Sequence, residues 1–171
     1  DAASRRGLIQ ALGGMNLSLR PAESNELEVS ESLSRLNMAS YRASRGISWD
    51  PERFRLSWDE FENLAIVQES QCIGFIRLLP EAGALAIRDV QIVQEFQGKG
   101  VGTWAIDQVK LLASERGYAT VKLRVYPENP AMALYTRLGF GVERIEDAVV
   151  HMLCYIPPNY SLKRTDQSLR D

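Results

Sequence analysis

A glycine-rich segment that joins an apolar run to a helical pattern is the first part of the chain whose residue types suggest chemistry. Residues 94–103 are QEFQGKGVGT, the apolar run before them is ALAIRDVQIV (84–93), and residues 104–117 have apolar side chains at helical spacing. Glycines in a turn from strand to helix let backbone N–H groups approach a ligand closely, and the positive end of a helix favours anions. The segment therefore predicts a turn that binds a phosphate.

Three phosphate-binding patterns can be compared with this turn. The Walker phosphate loop requires Ser or Thr after Gly-Lys, where the sequence has Gly100, so it does not fit. The dinucleotide fingerprint Gly-x-Gly-x-x-Gly requires a third glycine where the sequence has Thr103, so it fails as well. The pattern Gln-x-x-Gly-x-Gly fits, with Gln97, Gly100 and Gly102. A tight turn that binds nothing is the remaining alternative.

A second segment strengthens the pattern that fits. Residues 125–140, VYPENPAMALYTRLGF, contain an asparagine after a strand, a short helix, and the pairs Leu-Tyr and Gly-Phe. With the glycine turn, this segment resembles the two signatures of the GNAT superfamily of acyl-CoA-dependent N-acetyltransferases, over residues 15–156. The resemblance implies an α/β fold of the α+β type, with a mixed, mostly antiparallel, twisted sheet flanked by helices.

The resemblance also implies that acetyl-CoA is the co-substrate. The glycine turn would hold its pyrophosphate, and the strand before the turn would pair through its backbone with the pantetheine arm. Two of the implied residues have equally simple structural interpretations, Lys99 as a solvated loop residue and Asn129 as a helix cap. The implied cofactor-binding residues are Val90, Gln91, Ile92, Gln97, Gly98, Lys99, Gly100, Val101, Gly102, Thr103, Asn129 and Tyr135.

Amide formation from a thioester requires a neutral amine, donors for the tetrahedral oxyanion and a proton for the departing thiolate. Tyr135 matches the tyrosine of the family's Leu-Tyr pair, which implies that it is the general acid beside the thioester sulfur. A core tyrosine with a satisfied hydroxyl is the alternative. Backbone N–H groups of residues 90–92 are the expected oxyanion donors. No nucleophilic cysteine is needed if the amine attacks the thioester directly.

The general base has two interpretations. Asp89 is the only carboxylate in the strand before the glycine turn, which makes it the candidate base. Side chains alternate along a strand, so Asp89 shares a face with Gln91, while Arg88 shares the other face with Val90. If the substrate lies on the Arg88 face, Arg88 would bind a substrate carboxylate. A water relay, or loss of the proton before binding, would then replace Asp89.

The acceptor site is expected near residues 45–63, which combine carboxylates with aromatic side chains. Trp49 and Trp58, with Arg88, are the candidate substrate-binding residues. Acids and aromatic rings suit a cationic amine through charge and cation–π contact. The alternative is the solvated face of a charged helix. For His151, on a late strand, a structural or incidental role is expected, and a place facing the acceptor cleft is the alternative.

These residues together predict an N-acetyltransferase that moves an acetyl group from acetyl-CoA to a primary amine in a ternary complex. The amine would belong to a small molecule or a peptide. The alternative is a catalytically weak acyl-CoA-binding module with a regulatory or interaction role, which the unassigned base keeps open.

Composition argues against several other classes. The chain has 171 residues, a formal net charge of −2, one histidine and two cysteines, which favours neither nucleic-acid binding nor a metal site. No apolar run approaches the roughly 20 residues of a membrane span. We therefore expect a cytoplasmic protein without a metal or a membrane partner. Exposed edge strands favour a homodimer.

Turn residues and periodicity place the elements that position the site. Residues 15–156 are expected to form one domain, preceded by a disordered segment or upstream extension (1–14) and followed by a tail (157–171). Alternation and apolar runs predict strands at 17–20, 64–69, 72–79, 84–93, 119–125, 140–145 and 148–156.

Helices are expected between these strands. The first is predicted to end near Ser44, and Asp50-Pro51 predicts the start of the second. Asn129 is expected to cap the last helix, which Gly139 ends. The first helix is predicted to bury Leu27, Leu33, Leu36 and Met38, and the helix after the glycine turn Ala105, Ile106, Val109, Leu112 and Ala113.

Overall fold

The computed structural model of the chain describes residues 10–12 and 15–161. The rest of the predicted N-terminal extension and C-terminal tail lies outside the described residues. Gln10–Leu12 forms strand β1, for which the sequence offered no pattern. The chain falls into two compact units.

The first unit contains the chain up to Leu79 together with Ile87–Gly102. Its strands follow the order β1-β2-β3-β4-β5, and the three pairs from β1 to β4 are antiparallel. Short 3-10 turns precede its first helix and follow β5. Its further elements are β2 (Met15–Pro21), α1 (Leu27–Ser44), α2 (Pro51–Glu60), β3 (Glu62–Gln68), and most of β4 (Gln71–Glu81) and β5 (Ala84–Ile92).

The second unit contains Pro80–Ala86 and the described residues from Thr103 onward. Its strands follow the order β6-β8-β7, and both pairs are antiparallel. Alternate residues of β6 and β8 are buried, as the period of two predicts. Its elements are α3 (Val101–Glu115, which begins in the first unit), β6 (Thr120–Val125), α4 (Ala131–Arg137), β7 (Gly141–Glu146) and β8 (Val149–Tyr155).

Helices α1 and α2 differ in how well the sequence predicts them. Helix α2 begins as expected, because the Asp50 carboxylate accepts a hydrogen bond from the Arg53 N–H at 3.1 Å and Pro51 occupies the first turn. Helix α1 ends at Ser44 as expected, but the prediction that it buries Leu36 is wrong, since that side chain is 68% exposed. The residues of α1 that are buried are serines, Ser30 and Ser34, whose small side chains allow close packing.

Helix α3 is buried around most of its circumference. Four of its predicted inner residues, Ala105, Ile106, Val109 and Ala113, are at most 1% exposed. The fifth, Leu112, is half-buried. Three larger side chains that the pattern did not select, Trp104, Gln108 and Lys110, are buried as well. The helix therefore has no wide polar face, which an amphipathic surface helix would have.

Candidate functional site

The glycine turn between β5 and α3 has a defined backbone path. A 3-10 turn at Gln94–Phe96 follows the strand, and the Phe96 and Gln97 N–H groups each donate to the carbonyl three positions earlier. Gly98 and Gly100 then adopt positive φ angles of 71° and 86°, and α3 begins at Val101. Only glycine adopts such angles without strain. The predicted strand–turn–helix order is therefore confirmed.

Gly98 and Gly100 are not needed for packing against the residues that the structure describes. A Cβ atom built on Gly98 or Gly100 would have no heavy atom within 4 Å. Residues 97–100 are exposed, and the first N–H groups of a helix such as α3 have no intrahelical acceptor. Open space beside the backbone, unpaired donors and the positive helix end together suit an anionic ligand.

Two other residues of the turn have contacts of their own. The Lys99 ammonium lies over the Phe96 ring, 5.6 Å from its centroid. The Gln97 amide, Nε2, donates a hydrogen bond of 3.0 Å to the Ile92 carbonyl. Gln97 therefore ties the turn to the end of β5, a role in the backbone path that the motif alone does not indicate.

Asn37 of α1 makes a similar contact that the sequence analysis missed. Its Nδ2 donates to the Ile92 carbonyl and to Oε1 of Gln91, each at 3.0 Å. In the sequence, Asn37 looks like the other polar residues of α1, so no local signal indicates this contact. Asn37 and Gln97 thus meet at one carbonyl, and they fix the end of β5 from two sides.

The end of β5 has one edge turned toward β4. The Val93 N–H bonds to the Ile73 carbonyl at 2.9 Å, and a Cβ atom on Gly74 would lie 2.5 Å from the Gln91 oxygen. Backbone groups of successive strand residues point to opposite edges. The N–H groups of Val90 and Ile92 therefore point away from β4, the orientation that backbone pairing with a ligand requires.

Asp89 lies in a network of polar side chains. Its carboxylate accepts a 2.8 Å hydrogen bond from Nε2 of Gln91, a bond from the Ser34 hydroxyl, and approaches Nη1 of Arg77 to 3.9 Å. The predicted shared face of Asp89 and Gln91 is therefore occupied by α1. Burial raises the pKa of Asp89, and the hydrogen bonds and Arg77 offset this only in part.

Arg77 of β4 is a buried cation that no pattern in the sequence indicates. It is 3% exposed, its Nε donates to Oδ1 of Asn63 at 2.9 Å, and its guanidinium also donates to the Ser57 hydroxyl. Three aromatic rings surround it, with centroids at 4.1 Å for Phe54, 4.9 Å for Phe61 and 5.8 Å for Trp58. Burial lowers the pKa of Arg77, which stays far above neutrality for a guanidinium.

The predicted substrate residues join this aromatic cluster. Trp49 lies 5.8 Å from the Phe54 ring, and the Arg88 guanidinium lies 5.2 Å from the centroid of Phe61. Arg42 of α1 lies over Trp49 at 5.2 Å. The cations that face these rings are the protein's own arginines. The carboxylates of α2, Glu52, Asp59 and Glu60, are exposed, which agrees with a solvated helix face.

In the second unit, Asn129 and Tyr135 occupy the two ends of α4. Oδ1 of Asn129 accepts the Ala131 N–H at 2.9 Å, so the predicted cap is present one residue outside the helix boundary. At the other end, the Gly139 N–H bonds to the Thr136 carbonyl and the Phe140 N–H to the Tyr135 carbonyl. These two bonds, with Gly139 at φ 94°, form a Schellman cap.

The Schellman cap holds the Tyr135 ring in place. The Tyr135 and Phe140 ring centroids are 5.9 Å apart, the apolar contact that often accompanies this cap. Lys110, 5% exposed, donates from Nζ to the Leu138 carbonyl beside it, a contact that the sequence analysis missed. Residues of the predicted Leu-Tyr and Gly-Phe pairs are therefore also the residues that end this helix.

His151 lies in the middle strand of the second unit. It pairs with Arg124 on β6 and Arg144 on β7, and its Nε2 is 4.0 Å from a Glu146 carboxylate oxygen. These contacts agree with the expected structural role. None of the helices that the structure describes combines the length and apolar character needed to cross a membrane.

Known sequences that resemble this chain include a protein family and two acetyltransferases. A model of the acetyltransferase (GNAT) family matches residues 30–140. Mycothiol acetyltransferase of Jonesia denitrificans is 28% identical over 116 residues, which are 57% of this chain but 37% of that protein. The ribosomal protein bS18-alanine N-acetyltransferase of Haemophilus influenzae is 27% identical over 110 residues, 57% of this chain and 75% of that protein. The chain thus spans little more than a third of the first of these relatives.

Solved structures show the same fold. PaiA N-acetyltransferase from Thermoplasma acidophilum, in complex with coenzyme A, has a TM-score of 0.67 at 19% identity, over 82% of this chain and 99% of that one. The ribosomal-protein-S18-alanine N-acetyltransferase from Escherichia coli has a TM-score of 0.64 at 17% identity, over 85% and 99%. The predicted α/β fold, a mixed sheet flanked by helices, is therefore confirmed. Because the family model covers more than half of it, the chain belongs to the acetyltransferase (GNAT) family.

Proposed function

We propose that the protein transfers an acetyl group from acetyl-CoA to a primary amine, by direct attack of the amine on the thioester in a ternary complex. The observation that carries this proposal is the glycine turn, where Gly98 and Gly100 leave open space beside their backbone at the start of α3. Family membership supports the same chemistry, and the Thermoplasma acidophilum relative is a coenzyme A complex.

The residues of the turn fit a pyrophosphate. The N–H groups of Gly100, Val101 and Gly102 would bind its oxygens, the Thr103 hydroxyl would add a donor, and the α3 dipole would favour its charge. Lys99 is exposed and lies over Phe96, from where its ammonium can turn toward the ligand. The role of Gln97 is to fix the turn through the Ile92 carbonyl.

The end of β5 supplies donors rather than acceptors. The Ile92 carbonyl already accepts bonds from Asn37 and Gln97. Pairing with the pantetheine arm would therefore rest on the N–H groups of Val90 and Ile92, which point away from β4. One of these two N–H groups would pair with the arm, and the other would stabilise the oxyanion that forms when the amine attacks the thioester.

Tyr135 is the proposed general acid. Its ring is held by the cap at the end of α4 and by Phe140. A fixed ring presents the hydroxyl in one place, which general acid catalysis requires. The hydroxyl proton would pass to the coenzyme A thiolate as the carbon–sulfur bond breaks.

For the base, the geometry favours a water relay or loss of the proton before binding over direct transfer to Asp89. Its side chain is 17% exposed, and its oxygens already engage Gln91, Ser34 and Arg77. The raised pKa of Asp89 is nonetheless the direction that a general base needs. Asp89 therefore stays the alternative base. The pH dependence of turnover and of stability in Asp89→Asn would distinguish a base from a structural residue.

The acceptor is proposed only as a class, a primary amine on a small molecule or a peptide. One relative is named for mycothiol and another for the alanine of a ribosomal protein. Trp49, Trp58 and Arg88 are the proposed contacts for this amine and its substituents, and the arginines around them favour an acceptor that also carries a carboxylate. A cytoplasmic location without nucleic-acid or membrane partners is part of the same proposal.

The first experiment is a calorimetric titration of acetyl-CoA into the chain, with ATP and NAD as controls. Micromolar binding of acetyl-CoA alone, followed by release of free thiol with one of a panel of small amines and peptides, is the expected result. Binding without thiol release for any amine would favour the alternative, a catalytically weak acyl-CoA-binding module, which the missing dedicated base supports. A folded chain that binds none of the three ligands would make the glycine turn purely structural.

A further inference from the structure

The polar side chains beside the end of β5 form a continuous series of contacts within the first unit. The Asn37 amide, Nδ2, donates to Oε1 of Gln91, and Nε2 of Gln91 donates to Oδ1 of Asp89. Asp89 in turn lies 3.9 Å from Nη1 of Arg77. Because the carboxylate accepts the last of these hydrogen bonds, Gln91 turns its NH2 group toward Asp89 and its oxygen toward Asn37. The buried carboxylate thus sets the orientation of both amides.

The orientation of the Asn37 amide leaves one hydrogen for the backbone. An amide NH2 group has two hydrogens to donate. Gln91 accepts one of them, and the Ile92 carbonyl accepts the other, each at 3.0 Å. Asn37 therefore connects the polar network under α1 to a backbone atom at the end of β5.

The Ile92 carbonyl lies on the edge of β5 that points away from β4. The N–H and C=O groups of one strand residue point to the same edge, so the Ile92 N–H lies on this edge too. On the opposite edge, β4 holds the Val93 N–H through the Ile73 carbonyl at 2.9 Å. On the Ile92 edge, the side chains of Asn37 and Gln97 bond to the carbonyl. These two amides take the place that the N–H groups of a neighbouring strand have in a ladder.

We propose that Asn37 is a positioning residue for acetyl transfer, which holds the Ile92 peptide so that its N–H meets the acetyl-pantetheine end of acetyl-CoA. This inference rests on the proposed function, in which the Val90 and Ile92 N–H groups serve the pantetheine arm and the oxyanion. A misplacement of about 1 Å at a reacting centre lowers a rate by up to about 100-fold. The pyrophosphate, by contrast, would bind at the glycine turn, which Asn37 does not contact. Loss of Asn37 should therefore lower turnover much more than affinity.

Asn37→Leu tests this role, because leucine has nearly the same shape as asparagine but no donor. Turnover should fall about tenfold or more, and the acetyl-CoA dissociation constant from calorimetry should change by less than about threefold. Nuclear magnetic resonance adds a readout that does not depend on turnover. Acetyl-CoA should shift the amide proton signal of Ile92 strongly in the parent and weakly in Asn37→Leu.

Ser34→Ala is the matched control, on the same face of α1 one turn earlier. It removes a hydrogen bond to Asp89 but none to Ile92, so the shift of the Ile92 signal should match that of the parent. A shift that Ser34→Ala weakens as much as Asn37→Leu does would assign the effect to the packing of α1 on β5. That result would overturn the specific role of Asn37.

These readouts separate the inference from the proposed function. A parent that binds acetyl-CoA without releasing thiol for any amine would contradict the proposed function, while the Ile92 signal would still decide whether Asn37 positions this peptide. Equal shifts in the parent and in Asn37→Leu would overturn the inference. An Ile92 signal that acetyl-CoA leaves unmoved in the parent would overturn it without any variant, so the test does not depend on the folding of Asn37→Leu.

Discussion

The two motif segments of this chain differ in what their residues do for the fold. In the glycine turn, Gly98 and Gly100 have positive φ angles, yet the space beside them is open and the surrounding residues are exposed. In the segment at the end of α4, the N–H groups of Leu138, Gly139 and Phe140 all bond to carbonyls of the helix. Gly139 is the positive-φ residue of a Schellman cap, and Phe140 packs on the Tyr135 ring.

This difference separates two kinds of match to a family motif. The end of α4 would be needed by the fold even if nothing were bound, so its backbone says little about function. In the glycine turn, packing against the described residues does not explain Gly98 and Gly100, because a Cβ atom on either would have no heavy atom within 4 Å. The expected consequence is that substitutions in the turn affect binding, whereas those at the cap affect stability, with the Tyr135 hydroxyl as the exception.

The largest expected effect concerns that exception. Tyr135→Phe removes the hydroxyl but keeps the ring that packs on Phe140. Turnover should fall by about 10²–10⁴, the range for loss of a general acid, with acetyl-CoA affinity and melting temperature nearly unchanged. Steady-state thiol release and calorimetry measure these quantities. Tyr118→Phe, at another half-buried tyrosine of the same unit, is the control. Normal turnover in Tyr135→Phe would mean that the hydroxyl is not the general acid and that Tyr135, like the rest of the cap, has a structural role.

The next effect compares two glycines with the same backbone requirement. Gly100 has φ 86° and Gly139 has φ 94°, so alanine at either position should cost about 1–2 kcal/mol of unfolding free energy. A Cβ on Gly139 would meet Sγ of Cys154 only at ordinary contact distance, 3.6 Å. Only Gly100→Ala should also weaken acetyl-CoA binding, by about tenfold or more, because its Cβ would enter the space proposed for the pyrophosphate.

Chemical denaturation and calorimetry on both variants would test this comparison. Gly117→Ala, at the other end of α3, provides a third variant with positive φ (77°) and open space. It should lose stability without losing affinity. If Gly100→Ala and Gly117→Ala bind acetyl-CoA equally well, the turn at the start of α3 contributes no more to acetyl-CoA binding than the turn at its end.

The sequence predicted those features that depend on neighbours along the chain. Asp50 caps α2 through the N–H three residues on, and Gly139 ends α4 within one turn. The order of strand, glycine turn and helix is likewise set by residues that are neighbours along the chain. Local backbone preferences decide each of these features, and a single sequence displays them directly.

Features that depend on distant partners were missed. Arg77 bonds to Asn63, 14 residues away, Asn37 to the Ile92 carbonyl, 55 residues away, and Lys110 to the Leu138 carbonyl, 28 residues away. A buried polar side chain is stable only where the fold supplies its partner. Nothing local in the sequence distinguishes these three from solvated residues.

The third prediction concerns the Asp89 carboxylate, which lies in the strand before the glycine turn. Because burial raises the folded-state pKa of Asp89, the protonated form stabilises the fold below about pH 4, and this contribution is lost as pH rises through the raised pKa. Asp89→Asn should remove that loss. The variant should therefore gain stability relative to the parent as pH rises, by at most about 1.4 kcal/mol per pH unit.

Urea unfolding of the parent and Asp89→Asn between about pH 4 and pH 8 would measure this difference. Asp59→Asn, at an exposed carboxylate of α2, is the control. The opposite slope would mean that Arg77 and the hydrogen bonds outweigh burial and lower the pKa of Asp89. Turnover that falls in Asp89→Asn with an altered pH profile would make Asp89 the base. Turnover that keeps the parent profile would leave it a structural member of the network.

The smallest effects concern the two amide side chains of the motifs, and they sharpen the comparison most directly. Asn129→Ala removes the acceptor of the Ala131 N–H and should cost about 1 kcal/mol of stability, as loss of a helix cap does. Gln97→Ala should cost less, because Asn37 still donates to the Ile92 carbonyl, but it should reduce acetyl-CoA affinity by loosening the turn. Gln94→Ala, at an exposed glutamine of the same turn, is the control. If Asn129→Ala instead reduces acetyl-CoA affinity as much as Gln97→Ala does, Asn129 contributes to cofactor binding as well as capping α4. The division between a binding segment and a structural segment would then no longer hold.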